Sequence, residues 1–152
     1  MKKLFTIIVC KVLKFVGGLL GKGSSLPGQI ALKLCPDILG RIELPKYIVA
    51  VTGSNGKTST VEMIAHILCE SGKKVAWNKE GSNQIEGVTT LILGSCTLSG
   101  KVKSDILLIE SDERFAKYTI KYITPTHYVI TNLYRDQLTR NGHPEWVYNA
   151  VK

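Results

Sequence analysis

Val51-Thr52-Gly53-Ser54-Asn55-Gly56-Lys57-Thr58-Ser59-Thr60 brings two glycines, an ammonium group and several hydroxyls into one short stretch. An apolar run, Tyr47-Ile48-Val49-Ala50-Val51, leads into it, and a helical pattern from Val61 to Cys69 leaves it. Strand, glycine turn, Gly-Lys-Thr and helix is a layout that holds phosphate. Gly53 and Gly56 let the backbone curl until successive N–H groups point inward, where a Cβ would obstruct them. Lys57 offers a point charge to β- and γ-phosphates, the Thr58 hydroxyl is a candidate Mg²⁺ ligand, and the helix N-terminus adds partial positive charge. Ser54, Asn55 and Ser59 complete the candidate nucleotide-binding set. Only Ser54 and Asn55 separate the two glycines, a shorter and less generic form than the common nucleotide loop. A solvated turn that happens to contain Gly-Lys-Thr is the bland alternative. It is disfavoured because strand and helix fall where the motif needs them.

Two further segments could act beside the loop. Glu110 closes the apolar strand Ile106-Leu107-Leu108-Ile109 and is followed by Asp112 and Glu113. A carboxylate at a strand end beside a phosphate loop supplies what bound Mg²⁺ lacks, since that ion keeps waters and takes few protein oxygens. Glu110 is the preferred metal ligand of the three acids. Asn132 ends a later strand, and Arg135 and Asp136 follow closely. Amide, guanidinium and carboxylate groups here could orient nucleotide or substrate oxygens, although Asp136 could equally cap a turn. His66, His127 and His143 share no metal-binding spacing, and neither a Ser/His/Asp nor a Cys/His arrangement is readable.

The elements that must position these groups alternate. A helix over 58–70 stops at Ser71-Gly72, and Lys74 to Trp77 reads as a second strand. Asn78 to Gly87 reads as a loop and Val88 to Leu93 as an apolar run, with strands at Ile106–Ile109 and Tyr128–Thr131. Arg114 to Tyr122 reads as helical, and a last helix starts near Pro144. Alternation predicts an α/β fold with a parallel sheet, its ligands at the carboxyl ends of the strands. Four strands make a thin sheet, so the chain reads as the N-terminal part of something longer. Upstream, Gly23 to Gly28 reads as a loop, followed by short helical segments at Gln29–Leu34 and Asp37–Leu39.

The 152 residues carry a formal net charge of +8, but Lys2, Lys3, Lys11, Lys14 and Lys22 all precede Ser24. Without an aromatic-interleaved basic stripe in the rest, a nucleic-acid partner is not supported. Residues 2–22 read as an amphipathic helix, with Lys3, Lys11, Lys14 and Lys22 on one face and a broad apolar face opposite. The lysines interrupt the apolar core that a signal peptide or a membrane span requires. Packing of the apolar face on the domain is the favoured reading, and contact with an anionic membrane surface stays open. Cys10, Cys35, Cys69 and Cys96 form no C-x-x-C pair, so neither zinc ribbon nor disulfide framework is visible. Residues 1–45 thus read as helix and lead-in, and 46–152 as part of a nucleotide-binding domain.

Gly53-Ser54-Asn55-Gly56-Lys57-Thr58-Ser59 resembles the G-T-N-G-K-T-[ST] loop of the Mur ligase superfamily, with Ser54 in place of the usual threonine. Glu110-Ser111-Asp112-Glu113 is similar to that family's E-x-D-E segment. Thr131-Asn132-Leu133-Tyr134-Arg135-Asp136-Gln137-Leu138 is similar to its T-N-x-x-x-D-[HQ]-L segment. Residues 23–33 and Arg135-Asp136-Gln137 resemble the MurT-type branch more narrowly. The resemblance implies the superfamily's central ATP-binding fold, with ATP and Mg²⁺ as ligands and zinc only in sequence beyond residue 152. It also implies ATP-dependent amidation of the D-glutamate α-carboxylate of lipid II through an acyl phosphate, with ammonia from a GatD-type glutaminase partner. Asn78, Ser82 and Asn83, together with Gly81, resemble a loop near the family's substrate path. The implied location is cytoplasmic, with a peripheral place at the inner face of the membrane as a variant. Rival readings are another Mur-type ligase, such as a folylpolyglutamate synthase, and a truncated nucleotide-binding fragment without catalysis.

Overall fold

The computed structural model describes residues 1–19, 25–78, 84–111 and 122–132. In chain order these form α1 (Lys2–Leu19), α2 (Leu26–Leu34), a 3-10 turn (Ile38–Arg41), β1 (Tyr47–Thr52), α3 (Lys57–Glu70), β2 (Val75–Trp77), α4 (Ile85–Ser95), β3 (Ile106–Glu110) and β4 (His127–Ile130). The strands build one sheet in the order β2-β3-β1-β4, every neighbour parallel. The α/β expectation with a parallel sheet therefore holds.

β3 is buried along its whole length, which its unbroken Ile-Leu-Leu-Ile run anticipates for a strand covered on both faces. Alternate side chains serve opposite layers. Ile48, Ala50, Leu107 and Ile109 join the large core under α1, α2 and α4. Val51 and Leu108 pack with Val61 and Ala65 of α3 on the other face. The same pleat fixes register: Val51 lies opposite Glu110, so the last residue of β3 stands one step from the residue that precedes the glycine turn.

Three sequence expectations need correction. The helix α4 begins at Ile85, inside the expected loop, and contains the whole Val88–Leu93 run. Gly87 through Leu93 are all buried, so the segment shows no polar face and hence no helical period. Likewise, α2 starts at Leu26 rather than after Gly28. Pro27 suits a first turn, where its missing N–H has no helical partner to lose. Gly28 is there for contact: its N–H donates to Thr90 Oγ1 at 2.8 Å, and a side chain would overlap the Glu86 carbonyl. Finally, α1 packs on α2 and α4 through Thr6, Ile7 and Cys10, not through the broad apolar face. Lys11 Nζ donates to the Gly94 carbonyl at the end of α4 at 2.9 Å, where a cation meets unpaired helix carbonyls. Leu4, Phe5, Ile8, Val12, Phe15, Val16 and Leu19 face outward. Most of the expected 114–122 helix and all of the helix near Pro144 lie outside the described residues.

Candidate functional site

β1 delivers the chain into the glycine turn, and α3 leaves it at Lys57. Gly53 takes φ 135 and Gly56 takes φ 80, backbone regions that side chains rarely adopt. At Gly53 the need is doubled, because a Cβ would also run into Thr131 Oγ1 and the Asn132 backbone. Gly56 is the left-handed residue immediately before α3, and its carbonyl accepts from the Thr60 N–H at 2.9 Å.

The end of β4 holds this turn from behind. Ser54 N–H donates to the Asn132 carbonyl at 2.9 Å, and Asn55 N–H donates to Asn132 Oδ1 at 3.0 Å. Thr131 Oγ1 and Asn132 Nδ2 both donate to the Asn55 carbonyl, at 2.8 and 2.9 Å. Asn132 was a candidate for contact with nucleotide. In this geometry both ends of its amide engage Asn55, so it sets the loop's shape.

On the open side, Thr58 Oγ1 donates to Glu110 Oε2 at 3.0 Å. The carboxylate reaches the site because β3 pairs with β1 in the stated register, and it is buried while Thr58 is exposed. Lys57 Nζ folds back onto the Gly53 carbonyl and lies 3.4 Å from the Ser54 carbonyl. Ser54 through Ser59 and Glu110 line a cavity of about 380 Å³. Thr52 Oγ1 and Ser111 Oγ, on the two residues flanking this junction, are buried hydroxyls without a partner among the described residues. Sequence reading did not single them out, since hydroxyls at strand ends are common.

The donor set fits a metal-bound polyphosphate. A hydroxyl and a carboxylate already in contact are the hard oxygens Mg²⁺ prefers, and the remaining positions suit water and phosphate. The lysine ammonium rests on neutral carbonyls, and a phosphate oxygen is the stronger acceptor. Six of the ten candidate nucleotide-binding residues, the metal candidate Thr58 among them, therefore gather with Glu110 around one cavity. Gly53 and Asn132 frame the loop. Asn78 follows β2, which β3 separates from β1, so it shares the carboxyl end of the sheet without lining the cavity. Arg135, Asp136, Ser82 and Asn83 lie outside the described residues, as do Asp112 and Glu113.

Residues 51–152 match the Mur ligase middle domain family. The lipid II isoglutaminyl synthase (glutamine-hydrolyzing) subunit MurT of Streptococcus pneumoniae is 40% identical over 137 residues, covering 90% of this chain and 30% of that protein. The MurT subunit of Staphylococcus aureus strain COL is 35% identical over 153 residues, covering 99% of this chain and 34% of that protein. The chain thus spans about a third of the length of these relatives. Among solved structures, MurF ligase from Thermotoga maritima in complex with ADP superposes with a TM-score of 0.62. It is 24% identical, over 82% of this chain and 28% of that one, a likeness of fold.

Proposed function

This chain belongs to the Mur ligase family through its middle domain, and from that premise we propose that it is the nucleotide-gripping portion of an ATP-dependent amide-forming ligase of peptidoglycan synthesis. The observation that carries the reading is the cavity in which the glycine turn, Lys57, Thr58 and Glu110 converge. Backbone N–H groups and Lys57 bind the phosphates, Thr58 and Glu110 hold the cation, and Thr131 with Asn132 keeps the turn in shape. When bound, Mg²⁺ and ATP supply an electrophilic phosphoryl group and neutralise the charge that develops on it.

The finer reading follows the MurT relatives. The D-glutamate α-carboxylate of lipid II takes the γ-phosphoryl group as ADP leaves, and ammonia from a GatD-type glutaminase subunit then displaces phosphate from the acyl phosphate so formed. Phosphorylation exchanges a poor leaving oxygen for a good one, leaving the protein to align the reactants and stabilise charge. The identity to two MurT subunits over nearly the whole chain supports this branch over the other Mur-type ligases. Zinc belongs, on this reading, to sequence beyond residue 152.

The test uses protein expressed from the complete gene with lipid II, MgATP and ammonium chloride. Formation of phosphate and amidated lipid II in step with ammonium is the expected result. Turnover that requires glutamate instead of ammonium assigns the protein to a folylpolyglutamate-synthase-like branch and overturns the finer reading.

A further inference from the structure

The outward face of α1 is the feature that the ligase site leaves unexplained. At 100° per residue its apolar stripe covers an arc of about 120°, and an 18-residue helix is about 27 Å long. Phe5, Val12, Phe15 and Leu19 are each more than half exposed, at 59%, 55%, 70% and 73%. Contiguous apolar surface of that extent marks an interaction site on a folded protein. Among the described residues it is an outer layer: α1 sits on α2 and α4, with the sheet beneath them.

Charge selects the occupant. Residues 1–23 contain five lysines and no acid. Lys2 and Lys14 are exposed, and at helical spacing Lys2 and Lys11 flank the stripe on opposite sides. Beside it, Lys11, Lys14, Phe15, Gly18, Leu19 and Gly94 line a shallow cavity of about 580 Å³, so cationic and apolar side chains share one hollow. A second copy laid on the stripe would set one lysine rim against another, which is repulsive. An anionic bilayer surface offers hydrocarbon to the stripe and negative head groups to its rims. No helix among the described residues is long and apolar enough to cross a membrane, so α1 can only lie along it.

We propose that α1 is an interfacial helix that seats its Leu4-to-Leu19 stripe in the head-group boundary of an anionic lipid bilayer. The proposal deepens the substrate reading above, since a lipid-linked substrate lies at such a surface. Its assay contains no nucleotide, so the two readings fail separately.

The experiment is co-sedimentation of the chain with vesicles of phosphatidylglycerol and phosphatidylcholine in equal parts, and with phosphatidylcholine alone. Binding to the mixed vesicles, about tenfold weaker to the neutral ones and weakened by salt, is expected. The double substitution Val12→Glu with Phe15→Glu lowers binding to the mixed vesicles about tenfold or more. Both side chains are exposed, so the circular dichroism melt stays in place, and Phe5→Ser serves as a second variant should it move. Absence of binding to the anionic vesicles, or binding that these substitutions leave untouched, overturns the proposal. So does a dimer in lipid-free sedimentation velocity that the double substitution breaks, because the stripe would then belong to a second copy.

Discussion

Gly53 and Gly28 are both positions where neighbouring atoms leave no room for a Cβ, yet they serve different regions. At Gly53 the crowding comes from Thr131 and Asn132, and its product is the shape of a polar, solvent-facing turn. At Gly28 it comes from Glu86 and Thr90, and its product is the close approach of α2 to α4 within the large core. Among the described residues, the chemistry sits on the side of the smaller buried cluster, to which α3 contributes Val61 and Ala65. The larger buried cluster lies on the other side, under three helices. Changes at the loop should therefore alter ligand binding without unfolding the chain, and changes at the α2–α4 crossing should do the reverse.

The sharpest way to break that division is Gly28→Leu. Overpacking of this crossing should cost about 3 kcal/mol, read as a lower urea midpoint, with nucleotide affinity unchanged while the fold persists. Glu110→Gln keeps size and an acceptor for Thr58 but removes the charge offered to a cation. It should weaken the Mg²⁺-dependent part of nucleotide binding about tenfold in calorimetric titration, with the urea midpoint near that of the parent. Asn132→Ala removes the amide that holds Asn55 from both sides. Because Asn55 is exposed and water can replace the partner, the expected loss is about 1 kcal/mol in nucleotide binding.

The smallest effect lies wholly on the core side. Burial pushes the Cys10 thiol from its ordinary 9.0 up to about 11, and also raises Cys35 and Cys96. Between about pH 9 and 11 the folded state keeps a proton on Cys10 that the unfolded chain has released, so this contribution to stability is lost as pH rises through that window. Iodoacetamide labelling should accordingly find exposed Cys69 first, with buried Cys10, Cys35 and Cys96 protected until the chain unfolds.

The loop region was the legible one. A buried run ending in a glycine turn and Gly-Lys-Thr predicts strand, turn and helix from local rules, and β1, the turn and α3 follow them. Glu110 was legible for the same reason, as an acid at the end of a continuous apolar strand. The core side was harder to read because its signals are not local. Gly87 through Leu93 of α4 are all buried, so periodicity is silent, and Gly28 is explained only by Glu86 and Thr90, residues far along the chain. The face of α1 misled for a third reason. Its pattern shows which side avoids water, but not that the same chain covers it, and here the small residues Thr6 and Cys10 with Ile7 make the contact instead.

Titration of MgATP into the chain and into its Lys57→Ala variant tests the central claim most directly. Lys57 contacts the loop carbonyls, so the variant should melt with the parent. Its affinity for MgATP should fall on the order of tenfold to a hundredfold, the worth of a charged hydrogen bond. Equal affinities in the two proteins would contradict the account, because the cavity at the end of β1 would then not be where the phosphates are held.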